Sequence, residues 1–176
     1  MSRPTENIAG YAVGTQNISA CVADVVAWIE QAQPDPPGRW LACLNPHSYA
    51  VALDDPPFAQ ALHAADWLIP DGSGIVLASK LLGGQIRERV TGSDIFREVQ
   101  IELNRLGGYR VFFLGSTEDT LAAIGQRMNV IIGAVLLAHK ARAEYDVHFF
   151  PLRQSQHVQH VVGIVLQISI MNAHIS

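Results

Sequence analysis

Two short apolar runs, residues 40–44 and 67–69, each stop abruptly on a turn signal: Asn45-Pro46 after the first and Pro70-Asp71-Gly72 after the second. Runs of this length flanked by turn residues read as buried strands. The segments around them carry helical periodicity instead. Val22, Val25, Val26 and Ile29 form one apolar stripe, with Ser19 placed to cap its start and Pro34, Pro36, Pro37 and Gly38 beyond its end. Residues 57–65 predict a second helix with Phe58, Ala61 and Leu62 facing inward. A third spans residues 75–82, with Ile75, Leu77, Ala78, Leu81 and Leu82 as its apolar face and Gly83-Gly84 as its stop. Thr91 caps a fourth, with Asp94 in the capping-box position, and Gly107-Gly108 ends it. Residues 109–114 read as another strand, turning through Gly115-Ser116 into a helix near Thr117. Residues 8–16 read as one extended segment around Gly10 and Gly14. Strands alternating with helices predict an α/β fold around a mainly parallel sheet, Rossmann-like in kind.

Bulk properties narrow the function classes. The chain has 176 residues, 49% hydrophobic and 16% charged, enough apolar material for a core. A net charge of -4 argues against nucleic-acid binding, and Lys and Arg are scattered rather than clustered. Cys21 and Cys43 have neither CxxC nor metal-ligand spacing, so both read as buried thiols in a reducing compartment. No HExxH or EF-hand pattern is present, and no metal is expected. The polar first ten residues lack a signal-peptide core. The apolar runs at residues 130–138 and 161–171 fall short of the ~20 residues that span a bilayer. The expected location is therefore the cytoplasm.

In a parallel α/β sheet, ligands bind where strands end in their carboxyl-side loops. Three loops occupy that position: residues 45–48, 70–74 and 115–117. Asp71 lies between a proline that restricts the backbone and Gly72, which permits a tight turn. A carboxylate there can draw a proton from a sugar hydroxyl, or it can simply cap the helix that follows. Asn45 offers both a donor and an acceptor. His47 can act as an acid or base, or bond the backbone. An arginine beside a helix N-terminus, such as Arg89, can hold a phosphate, or pair with Glu88 at the surface. Gly72-Ser73-Gly74 and Leu114-Gly115-Ser116-Thr117 are turns able to present backbone N–H groups, though neither is a P-loop or a dinucleotide fingerprint.

Taken together, these segments carry a more specific signal. Leu44-Asn45-Pro46-His47-Ser48-Tyr49 resembles the asparagine loop of the WecG/TagA/CpsF glycosyltransferase family. Ala65-Asp66-Trp67-Leu68-Ile69-Pro70-Asp71-Gly72-Ser73-Gly74-Ile75 resembles that family's "AD…PDG.G" signature, and Glu88-Arg89-Val90-Thr91-Gly92-Ser93-Asp94 its "ERVTG.D" signature. Residues 109–116 resemble its "RVFLLG" strand. The resemblance covers residues 8–128. It implies an inverting transferase that moves a sugar (N-acetylmannosamine, its uronic acid, glucose or similar) from a UDP-sugar to a polyprenyl-diphosphate-linked saccharide, without a metal ion or other cofactor. The product would belong to cell-surface polysaccharide. The resemblance further implies that Asp71 is the general base. Substrate contacts fall to Asn45, His47, Arg89, Thr91, Gly72, Ser73, Gly115 and Ser116. It also implies work at the inner face of the plasma membrane, with peripheral membrane contact and a homo-oligomer among the options.

This chain departs from the family pattern in two places. Cys43 stands two residues before the loop asparagine, where many members carry threonine. Beyond residue 128 the "G.PKQE" motif and basic C-terminal part are missing, and five of the seven histidines (His139, His148, His157, His160, His174) fall there. The chain therefore reads as a core of residues 1–128 followed by an atypical segment, residues 129–176, that is truncated, frameshifted or diverged. The alternative function is a catalytically impaired remnant or non-catalytic binding module of the same family.

Overall fold

A computed structural model describes residues 3–31, 38–107, 109, 111, 118–132 and 164–166. The chain opens with an antiparallel hairpin, β1 (Thr5–Ile8) and β2 (Tyr11–Gly14), where a single extended segment was expected. Ala9 and Gly10 turn it with φ of 50° and 96°. Two successive positive φ angles suit the right-handed twist of the flanking strands. The Gly10 N–H donates to the Asn7 side chain at 3.0 Å. Helix α1 (Ile18–Gln31) follows, and its cap is Asn17, not Ser19: Asn17 Oδ1 accepts the Ala20 N–H at 2.9 Å.

Strand β3 (Arg39–Leu44) leads into α2 (Pro46–Asp54), α3 (Pro56–Ala64), β4 (Trp67–Pro70), α4 (Ser73–Leu81) and α5 (Gly92–Leu106). Helix α6 (Glu118–Ile132) and strand β5 (Ile164–Leu166) complete the described elements. The expected strand at residues 109–114 and the turn at 115–117 lie outside the described residues, apart from Tyr109 and Val111, which belong to no strand. The sheet runs β4-β3-β5 with both pairings parallel; Leu41 sits opposite Trp67, and Leu44 opposite Pro70. This is the α/β arrangement that the alternation predicts.

Alternation along the strands divides the core into two faces. Leu41, Trp67 and Ile69 point toward α1 and α5, packing with Val25, Val26, Val90, Ile95 and Val99. Leu44 and Leu68 point the other way, toward the hairpin, Leu62, Ile75 and Ile86. Each fully buried aliphatic side chain contributes about 1.5–3 kcal/mol of transfer free energy, so a sheet covered on both sides is strongly favoured.

Two helix faces differ from expectation. In α3, Leu62 is buried but Ala61 is exposed. In α4, Ile75 and Ser79 are the buried positions, while Leu77, Leu81 and Leu82 face out. The stop at Gly83-Gly84 forms as expected. Gly83 has φ 72°, and the Gly84 N–H reaches back to the Ser79 carbonyl at 2.8 Å, closing a left-handed C-terminal cap.

Candidate active site

Three helices begin at the carboxyl ends of β3 and β4, and backbone hydrogen bonds tie their starts together. The Asp71 N–H donates to the Leu44 carbonyl at 2.9 Å, and the Val90 N–H donates to the Pro70 carbonyl at 2.9 Å. The strand ends and the approach to α5 are thereby held side by side. Helix N-termini carry partial positive charge and unsatisfied N–H groups, so this end of the sheet suits an anion.

The first start is α2, where sequence reasoning placed only a loop. Asn45 is its N-cap: Oδ1 accepts the Ser48 N–H at 2.8 Å, and Ser48 Oγ accepts the Asn45 N–H at 2.8 Å. Pro46 occupies the first turn, where its missing N–H costs nothing. Asn45 Oδ1 is thus engaged in capping, which leaves the Nδ2 amide as its donor toward a ligand. His47 is exposed on that first turn.

The second start is α4. Gly72 is its N-cap, at φ 94° and ψ 153°, and no side chain caps the helix. Asp71 is half-buried, and its carboxylate does not serve the capping role that was its alternative reading. Ser73 is exposed at the helix start. The turn packs directly on α2: a Cβ at Gly74 would lie 2.6 Å from Pro46 Cγ, and one at Gly72 would lie 3.9 Å from Pro46 Cδ. Glycine at 74 is what lets the two loops touch.

The third start is α5. Thr91 caps it as expected, accepting the Asp94 N–H at 3.2 Å and donating to Asp94 Oδ2 at 2.6 Å. Arg89 is exposed beside the Val90–Pro70 bond and forms no ion pair among the described residues, so the Glu88 pairing is not seen. Arg87 donates to the Gly84 carbonyl at 2.7 Å. Gly115 and Ser116 lie outside the described residues.

Cys43 links two of these starts, a contact that sequence reasoning missed. It faces Asp71, and the Gly92 N–H points at its sulfur; a Cβ at Gly92 would lie only 3.0 Å from Cys43 Sγ. Burial, reinforced by the neighbouring Asp71 charge and partly offset by the Gly92 N–H, pushes the thiol up to about 11, so it stays protonated at neutral pH. Cys21, more deeply buried, is pushed up to about 12, first by burial and then by Asp24. The available signal was register: Cys43 pairs with Ile69, two residues before Asp71, so both point to one side of the sheet.

The other half of the "AD…PDG.G" segment lies at the opposite end of the strands. Asp66 accepts the Trp40 N–H at 3.2 Å and lies 3.5 Å from Arg39 Nε, fastening β4 to the start of β3. Nearby, Arg3 pairs with Asp24 at 2.7 Å, donates to the Asp66 carbonyl and covers the Trp67 ring. A cavity of about 330 Å³ opens between the hairpin and β4, bordered by Asn7, Ala12, Gly14, His63 and Trp67. The expected base and substrate-contact residues are not among those that line it, although Ala65 to Pro70 of the same segment are. Among the described residues no group of three or more His, Cys, Asp or Glu is gathered as a metal site would need.

A family model described as "Glycosyl transferase WecG/TagA/CpsF family" matches residues 6–160. Two curated relatives are similar over part of the chain. Both are named N-acetylglucosaminyldiphosphoundecaprenol N-acetyl-beta-D-mannosaminyltransferase. The one from Bacillus spizizenii is 31% identical over 91 residues, covering 52% of this chain and 35% of the relative. The one from Bacillus subtilis (strain 168) is 25% identical over 92 residues, covering 52% and 36%. The matched part of the chain thus spans about a third of the length of these relatives.

Proposed function

Because the chain belongs to the WecG/TagA/CpsF family of glycosyl transferases, we propose that it transfers a sugar from a UDP-sugar to a polyprenyl-diphosphate-linked saccharide with inversion. The names of the relatives make UDP-N-acetylmannosamine the first donor to try and a lipid-linked N-acetylglucosamine the first acceptor. The observation that carries the reading is Asp71. Its carboxylate sits where three helix starts converge, yet it caps none of them.

In the proposed reaction the Asp71 carboxylate takes the proton of an acceptor hydroxyl. The freed oxygen attacks the anomeric carbon from the face opposite UDP. The bond from that carbon to the diphosphate breaks, and UDP leaves with the electron pair. The departing charge needs electrostatic compensation. The N-terminus of α4, which no side chain caps, and the guanidinium of Arg89, which forms no ion pair among the described residues, are suited to supply it. Asn45 Nδ2 and the exposed His47 and Ser73 can position hydroxyls. Thr91 acts indirectly, since its hydroxyl is engaged in capping α5.

The test is turnover of labelled UDP-sugar on a short-chain polyprenyl-diphosphate acceptor. Asp71→Asn keeps the size of the side chain and removes the base. It should lower turnover by about 10²–10⁴-fold with an unchanged unfolding temperature. Undiminished turnover in that variant removes Asp71 from the chemistry. An intact protein that binds UDP-sugar but yields no product overturns transfer in favour of a non-catalytic binding module.

A further inference from the structure

We infer that Glu6 is a positioning residue for the candidate site: its carboxylate clamps the turn that leads out of α4 and so holds Arg89 beside the helix starts. The inference rests on the reading above that Arg89 faces the departing diphosphate. Glu6 lies in β1 opposite Val13, which is fully buried, and two residues before buried Ile8. Alternation puts all three on one face of the hairpin, the face that packs with Ile75 and Ile86. A carboxylate on a core-facing position is uncommon. It also lies beside the turn that closes the C-terminal end of α4, where the helix dipole disfavours negative charge. Fold stability alone therefore gives little reason for an acidic residue at this position.

What Glu6 holds is the connection from α4 to α5. Residues 84–90 are fastened at both ends. At the near end the Gln85 N–H donates to Glu6 Oε2, and the Ile86 N–H donates to buried Ser79 Oγ at 3.1 Å. At the far end the Val90 N–H donates to the Pro70 carbonyl at 2.9 Å. Between these points Arg87, Glu88 and Arg89 are exposed. Arg87 donates to the Gly84 carbonyl at 2.7 Å, which ties its side chain to the near end. The fit around the carboxylate is close: a Cβ at Gly84 would lie 2.5 and 2.6 Å from its two oxygens. Burial works against the charge on Glu6. The Gln85 N–H, the Ser79 hydroxyl, the Ile86 N–H and the Arg87 charge outweigh it and hold the carboxyl below its usual range, so it is ionised at neutral pH. Without Glu6 the near end keeps only its Ser79 bonds, and the stretch carrying Arg89 has more conformations to lose when a diphosphate binds.

Two measurements on the full chain test this. Trypsin cuts after arginine, so nicking after Arg87 and Arg89 reads the order of the turn directly, and calorimetric binding of UDP reads its effect on the site. Glu6→Ala should speed nicking at both arginines and weaken UDP binding, each by about tenfold, roughly the effect of ordering one residue during binding instead of before it. Cleavage after Arg97 and Arg105 in α5 should keep the parent rate. Glu6→Gln retains an acceptor for the Gln85 N–H and should recover much of both losses. Gly84→Ala should reproduce Glu6→Ala by displacing the carboxylate, and should add nothing once residue 6 is alanine. Arg89→Ala should weaken UDP binding more than Glu6→Ala does, and in that background Glu6→Ala should have no further effect on UDP. Unchanged nicking in Glu6→Ala overturns the proposal, as does nicking that rises equally after Arg97 and Arg105. Additive losses of UDP affinity in the Glu6 and Arg89 pair also overturn it, since Glu6 would then act on the fold as a whole. Faster nicking confined to Arg87 and Arg89 in a protein whose parent binds no UDP supports the clamp and removes the reading of Arg89 as a diphosphate contact.

Discussion

Replacing Gly72 with alanine isolates the backbone turn that carries Asp71. Gly72 has φ 94° and ψ 153°, a region essentially reserved to glycine. Holding an alanine there costs about 1–3 kcal/mol. Steric overlap adds nothing, because the new Cβ meets Pro46 Cδ at 3.9 Å and Asn45 Cβ at 4.0 Å, both ordinary contacts. In a chain of this size 1 kcal/mol shifts the unfolding midpoint by about 2–4 °C, so the full strain lowers it by about 2–12 °C. Local rotation of the Asp71–Gly72 peptide would relieve part of that strain and swing the carboxylate away. A displacement of about 1 Å at a reacting group costs on the order of 100-fold in rate. Thermal unfolding and UDP-sugar turnover should therefore both fall, and the smaller the thermal loss, the larger the share expressed as misplacement. Gly38→Ala, with open space around it and no positive φ, is the neutral control. A Gly72→Ala protein that matches the parent in both measurements refutes the reasoning, because the turn would not need its left-handed conformation.

Gly74→Ala fails for the opposite reason. Its Cβ would stand 2.6 Å from Pro46 Cγ, about 1 Å inside normal carbon contact, and overpacking of this kind costs about 1–3 kcal/mol. Pro46→Ala in the same background should recover most of the lost unfolding temperature, and additive losses in that double-mutant cycle would show that the two loops do not touch. The thiols predict a pH dependence. Their folded values near 11 for Cys43 and 12 for Cys21 lie above the ordinary value of 9. The unfolded chain therefore releases these protons first as pH rises. Their stabilising contribution is complete below pH 9 and declines as pH climbs through 11. Urea unfolding at pH 8 and at 10.5 should show a smaller decline in Cys43→Val than in the parent, and identical declines would place the titration elsewhere.

The elements legible in the sequence were those with local causes. Thr91 with Asp94, and Gly83-Gly84, act within a few residues of themselves, and both ends formed as their residue types dictate. The hairpin was obscured because Ala9 is not a usual left-handed residue, although Asn7 and Gly10 together supply the turn chemistry. Helix α2 was obscured because Asn45-Pro46 was read as a strand stop alone, when the same pair with Ser48 also opens a helix. The inward face assigned to α4 followed hydropathy, but burial there follows the sheet and hairpin it packs on, which take Ile75 and Ser79 and leave the leucines outside. For the candidate site, Asp71, Asn45, Thr91 and Arg89 were legible as motif residues. Their adjacency depends on the parallel pairing of β3 with β4 and on bonds such as Val90 to Pro70, none of which a local pattern encodes.

The knot of helix starts has an evolutionary consequence. Its frame is made by backbone bonds, caps and close-fitting glycines, while His47, Ser73 and Ser93 each sit exposed in the opening turn of a different helix. Point changes at His47 and Ser73 alter what the rim presents while leaving the frame beneath in place, whereas Ser93 also touches the Thr91 cap at 3.0 Å. A lineage built on this plan can diversify its choice of partner molecule by drift at the rim, one codon at a time, while selection holds the foundation constant.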